Sequence, residues 1–144
     1  MRILKKIFTI GYEGRSIDEF IDLLKSQKVD LLIDVRIRAN SRKTGFSKTK
    51  LKDKLKENNI AYEHHKNLGT PQSLMQVMRK EGHYSMEVYG EYLDDNSEII
   101  TDFLSQLNKP SIGLMCYESN ALQCHRSVVA DRLSKITAAT ITHI

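Results

Sequence analysis

The sequence predicts an α/β fold: a three-layer α/β/α arrangement around a mainly parallel sheet, Rossmann-like or flavodoxin-like. Three observations lead there. Short β-prone apolar runs alternate along the chain with stretches of helical apolar spacing. The run Val29 to Val35 is nearly continuous, interrupted by Asp30 and Asp34, as suits a strand covered on both faces. At 144 residues the chain fits a single domain, residues 1–144, large enough to bury most of its apolar surface.

Ile7 to Ile10 reads as the first strand, ended by Gly11-Tyr12-Glu13-Gly14. Ser16 and Glu19 have capping-box spacing, and Ile17, Phe20, Ile21, Leu23 and Leu24 then follow helical periodicity. After the Val29–Val35 strand, the polar segment Arg36 to Gly45 is a loop, and Ser47 is a candidate cap for a helix carrying Leu51 and Leu55. Asn58-Asn59 ends that helix, and Ile60 to His64 is a short strand. Leu68-Gly69-Thr70-Pro71 is turn chemistry leading into a helix from about Gln72 to Lys80, broken by Glu81-Gly82-His83. Helical spacing resumes at Met86, Val88, Tyr89, Tyr92 and Leu93, and again from Ile99 to Leu107 after a candidate Ser97 cap. Pro110 opens the strand Ser111 to Cys116, a helix follows around Ser127 to Leu133, and β-branched residues mark Thr140 to Ile144 as the last strand.

With 40% hydrophobic and 28% charged residues, two prolines and no tryptophan, the composition excludes disordered and collagen-like classes. No apolar stretch approaches membrane-spanning length, and Met1 to Lys6 lacks the apolar core of a secretory signal. The expectation is a cytoplasmic protein whose two cysteines are reduced thiols, with no structural disulfide. A net charge of +4 makes polyanions plausible partners. The lysines at 48, 50, 52, 54 and 56 read instead as the solvated face of a helix.

In a parallel sheet the ligand crevice lies beyond the carboxyl ends of the strands. The residues just past each predicted strand are Tyr12 and Glu13, then Asp34, Arg36, Arg38, Ser41 and Arg42, then His64 and His65, and finally Cys116, Glu118, Cys124, His125 and Arg126. Cys124-His125-Arg126 opens a helix, where free N–H groups favour an anion and acidify a thiol. On this reading Glu118, Cys116, Cys124 and His125 are candidate catalytic groups. Arg36, Arg42, Arg126 and Ser41 are candidate anion holders, supported by Tyr12, Glu13 and Asp34. The plainer alternative buries Cys116 and Cys124 as packing residues, pairs Arg126 with Asp131 or Glu118, and pairs Asp34 with one arginine. His64-His65 and a cluster of Cys116, Cys124 and His125 are conceivable metal ligands, but the cysteine spacing matches no standard zinc pattern, so no metal site is expected and the cofactor is left open. No GxxxxGK[ST] phosphate loop is present, and the sixth residues after Cys116 and Cys124, Leu122 and Ala130, are not the arginine of a tyrosine-phosphatase loop.

Thr9-Ile-Gly-Tyr-Glu13 with Ser16, Asp34-Val-Arg36, Ser41-Arg42 with Phe46, Leu68-Gly69, and Cys116-x-Glu118 followed by Cys124-His125-Arg126 form an ordered set spanning nearly the whole chain. In these residues the sequence resembles the domain-of-unknown-function family 488. The resemblance implies a compact α/β fold, a shared polar site and an association with nucleic-acid metabolism. Ala39-Asn40 and Gly69-Thr70 depart from the family pattern, in loops that shape the crevice. Leu31 to Arg36 also looks like the opening strand of a rhodanese domain, although Cys116 to Arg126 is too long for the cysteine loop of those enzymes. Two functions compete: an enzyme acting on a phosphorylated or nucleic-acid-derived substrate, and a non-catalytic module that binds nucleic acid or another anion.

Overall fold

Ser16 starts the first helix as its spacing predicts. Its hydroxyl accepts the Glu19 N–H at 3.1 Å, and the Glu19 carboxylate accepts the Ser16 N–H at 3.0 Å. Replacing Ser16 with alanine is expected to cost about 1 kcal/mol, seen as a fall of a few degrees in Tm, with the rest of the fold unchanged. A Tm equal to wild type would show that this helix end needs no cap.

The computed structural model describes residues 4–80, 86–121 and 124–144. The chain runs β1 (Lys6–Gly11), α1 (Ile17–Ser26), β2 (Leu31–Asp34), α2 (Lys48–Glu57), β3 (Ala61–His64), a short 3-10 turn at Lys66–Leu68, α3 (Gln72–Lys80), α4 (Met86–Asp95), α5 (Glu98–Gln106), β4 (Ser111–Cys116), α6 (His125–Thr137) and β5 (Thr140–His143). All four strand pairings are parallel, in the order β3-β2-β4-β1-β5. The order matches neither doubly wound arrangement, because β4 separates β1 from β2.

Alternation along the strands explains the two cores. Ile7, Leu31, Ile33, Ile112 and Leu114 face one layer with Tyr89, Leu93, Ile100, Phe103 and Val129 from α4, α5 and α6. Phe8, Ile10, Leu32 and Met115 face the other, against Phe20 and Leu24 of α1 and Leu51 and Leu55 of α2. The lysines of α2 lie on its outer side, all exposed except the half-buried Lys54. No helix among the described residues is long and apolar enough to cross a membrane.

Two caps differ from expectation. Ser47 stands at the N-cap of α2 with extended torsions, but its side chain makes no capping bond; the Lys48 N–H is satisfied by the Ala39 carbonyl at 2.8 Å, from the preceding loop. Ser97 already has helical torsions (φ −59°, ψ −22°), so its side chain does not turn back to cap α5. The break expected at Glu81-Gly82-His83 lies outside the described residues.

Candidate active site

The topology opens one crevice. From β2 the chain moves outward to β3 at one edge, whereas from β4 it moves the other way, past β1, to β5. These opposite departures leave the gap between the carboxyl ends of β2 and β4 uncovered, the place where parallel sheets bind ligands. A cavity of about 640 Å³ sits there, lined by Arg36, Ile37 and Arg38 after β2, Cys116, Tyr117 and Glu118 at the end of β4, Cys124 and His125 at the start of α6, and Thr70, Gln72 and Met75.

Its β2 wall is a buried ion pair. Asp34 is fully buried and Arg36 nearly so. Arg36 donates from Nε to Asp34 Oδ1 at 2.9 Å and from Nη2 to Oδ2 at 2.7 Å, while its backbone N–H adds a bond to Oδ1 at 3.1 Å. Arg36 Nη1 donates to the Phe46 carbonyl at 2.7 Å, and the Tyr62 hydroxyl donates to Asp34 Oδ2 at 2.6 Å. Burial alone would lower the Arg36 pKa, but the Asp34 hydrogen bonds and charge hold it above its usual value. The Tyr62 hydroxyl is pushed up, by burial first and then by donation to Asp34. His64 Nε2–H donates to the Arg36 carbonyl at 2.6 Å, so this histidine braces the wall. His65 faces Glu63 at 2.7 Å instead.

The β4 wall is built around Arg126, which is completely buried in the first turn of α6. Its Nη1 donates to the Glu118 carbonyl at 2.6 Å and points at Cys116 Sγ at 3.1 Å, and Nη2 reaches the Ser119 carbonyl at 3.3 Å. Burial, with help from the Arg15 charge, lowers its pKa to about 10 against the pull of Glu118, so it remains a cation at neutral pH. Glu118 Oε2 lies 3.7 Å from Cys116 Sγ. Burial lowers the His125 pKa to about 4, with Arg126 adding to the effect and the bond to Val35 opposing it, so the ring is neutral.

The cysteines correct an expectation. Cys116 and Cys124, expected as two separate thiols, have their sulfurs brought into bonding contact, with their Cα atoms 7.4 Å apart. Compartment reasoning is silent about distance, and here the loop after β4 returns the chain so that the N-cap of α6 meets the strand end it left.

The remaining predicted residues fall into supporting places. Tyr12 is buried, stacked on Phe46 at 4.6 Å and edge-on to Tyr117 at 5.4 Å. Its N–H and that of Glu13 donate to the carbonyls of Cys116 and Tyr117 at 3.2 and 2.8 Å, and Glu13 Oε1 accepts the Ser119 N–H at 2.9 Å. Ser41 Oγ accepts the Lys43 N–H at 3.1 Å and shapes the loop. Arg42 is exposed and does not line the cavity. Asp131 pairs with Arg132 and Lys135, not with Arg126.

The segments lining the cavity lie within residues 16–133, over which the chain matches the family described as Domain of unknown function DUF488. The chain belongs to that family. No curated protein and no solved structure matches it. In this DUF488 chain, the sequence places Tyr62 near the crevice only as an aromatic and Thr70 only in a loop that shapes it, and it gives Gln72 and Met75 no part in the site. Tyr62 lay two residues before the noted histidines on a strand, where alternation could have turned it toward Asp34. The 70–75 segment carries no chemical signature and is brought in only by the fold.

Proposed function

We propose that this protein is an enzyme acting on a phosphorylated or nucleic-acid-derived substrate in the crevice between β2 and β4. The observation that carries this reading is the meeting, at one cavity, of two sulfurs, a neutral imidazole and the Glu118 carboxylate. Plain phosphate binding requires none of these groups. Glu118 serves as the acid–base residue, and Arg38, exposed on the cavity lining, offers the substrate anion a free fork of donors.

The binding-only alternative is less well supported by the same geometry. A phosphate groove presents its guanidinium donors outward, whereas those of Arg36 and Arg126 are engaged with protein acceptors. Their role here is to hold the walls of the cavity.

The test is a turnover screen over nucleotides, sugar phosphates and short DNA and RNA strands, with wild type, Glu118→Gln and Arg38→Ala in parallel. Loss of a general acid–base group is expected to cost about 10²–10⁴-fold in kcat, while Arg38→Ala mainly raises KM. Full activity in Glu118→Gln would remove this carboxylate from the chemistry. Oligonucleotide binding that weakens steeply with salt, with no turnover, would assign the binding role instead.

A further inference from the structure

One sulfur from the end of β4, one from the N-cap of α6 and the imidazole beside it place their ligand atoms within 4.8 Å of one another. From this juxtaposition we propose that Cys116, Cys124 and His125, with the cysteine pair reduced, bind one zinc-class divalent cation. The metal site stands on its own geometry; only what it does for a substrate rests on the enzyme reading above.

The spacing of the backbones fits a bridging ion. The two Cα atoms are 7.4 Å apart, wider than the roughly 4.4–6.8 Å that disulfides usually span. Two thiolates on a tetrahedral zinc, each about 2.3 Å from the metal, stand roughly 3.8 Å apart. The sulfurs therefore have only to part for the ion to enter. The disulfide is the oxidised, metal-free state of the same pair. An external dithiol reductant supplies two electrons and two protons, breaking the S–S bond and leaving two thiols while itself becoming a disulfide. The incoming dication then displaces both protons to water and forms two metal–sulfur bonds.

The surroundings of the three groups are those of ligands. His125 Nε2 lies 3.2 Å from the Val35 carbonyl, which can only accept, so Nε2 carries the hydrogen and Nδ1 presents its lone pair, 3.8 Å from Cys124 Sγ. A far-nitrogen bond to a carbonyl is the usual way a metal-binding imidazole is oriented. Arg126 aims Nη1 at Cys116 Sγ from 3.1 Å and, among the described residues, makes no ion pair. A ligating thiolate would put a negative charge in direct contact with that buried cation, which otherwise feels only the more distant Glu118 carboxylate, and two thiolates neutralise the dication. Sulfur and imidazole donors select zinc over magnesium or calcium. Three protein ligands leave a fourth position for water, the arrangement of catalytic zinc sites. Glu118, close beside Cys116, is placed to take a proton from that water.

The experiment uses the full chain, reduced with a dithiol and freed of metal, then titrated with zinc and separately with cobalt. One ion per chain is expected to bind, with a thiolate-to-cobalt charge-transfer band and with both cysteines protected from alkylation by zinc. Cys116→Ser and Cys124→Ser should each lose more affinity than the roughly 10–100-fold that a supporting residue costs, while Glu118→Gln keeps the metal. Absence of stoichiometric binding, or binding unchanged in both serine variants, overturns the site. Should those variants fail to fold, the wild-type cobalt spectrum decides alone: without the charge-transfer band the proposal falls. Tight zinc binding without turnover of any substrate would sink the enzyme reading and leave the metal site standing. Turnover by reduced protein that binds no stoichiometric zinc would do the reverse.

Discussion

Asp34→Ala is expected to lower the free energy of unfolding by about 3–5 kcal/mol, a fall of roughly 10–20 °C in Tm for a chain of this size. The carboxylate is fully buried and accepts from three donors of Arg36 and from the Tyr62 hydroxyl. Removing it leaves a buried guanidinium without its counter-charge and takes the acceptor from the half-buried Tyr62 hydroxyl. Most of the loss is the penalty on what remains, not the worth of the pair. Asp34→Ala combined with Arg36→Met should therefore be less damaging than Asp34→Ala alone, because no unpaired charge is then buried. Thermal unfolding followed by circular dichroism measures both. A double variant as unstable as the sum of the two singles would show that the pair contributes no coupling.

That network also marks how far sequence could reach. Asp34 and Arg36 were legible as chemistry at a strand end, since an apolar run closing on two opposite charges has few other uses. Their inward turn was not legible, because the Phe46 carbonyl and the Tyr62 hydroxyl that complete it come from separate segments. Glu118, Cys116, Cys124 and His125 line one cavity, as the rule that crevices open past strand ends expects, and the strands themselves read as short β-prone apolar runs. Strand order was out of reach: parallel strands are joined by long crossovers, and nothing local tells β4 to insert between β1 and β2. The same limit hid the meeting of the two cysteines. Ser47 stands at the N-cap of its helix as its sequence position suggests, and what local sequence does not encode is that its side chain makes no cap bond while a loop carbonyl takes the Lys48 N–H.

Gly11→Ala is expected to damage the site and the fold together. A Cβ at this position would stand 1.8 Å from the Glu118 carbonyl oxygen, 2.6 Å from its carbon and 3.1 Å from Ser119 Cα. All three are backbone atoms, so no side chain can swing aside. Gly11 itself is fixed in register opposite Cys116. The facing loop is pinned by Arg126 through the Glu118 and Ser119 carbonyls, and by Glu13 through the Ser119 N–H. Relief requires breaking one of these holds, at a cost at or above the roughly 1–3 kcal/mol of ordinary overpacking, and it displaces Glu118 from Cys116. Gly14→Ala is the control: an added Cβ there meets nothing, but φ is +75°, so it should cost about 1–2 kcal/mol of backbone strain and leave the cavity as it is. Thermal unfolding together with the amide chemical shifts of residues 116–119 separates the two effects. Gly11→Ala should move both, Gly14→Ala only the first. Unchanged shifts in Gly11→Ala would mean that the loop bearing Glu118 is not held against β1, and that the carboxylate is free to leave the crevice.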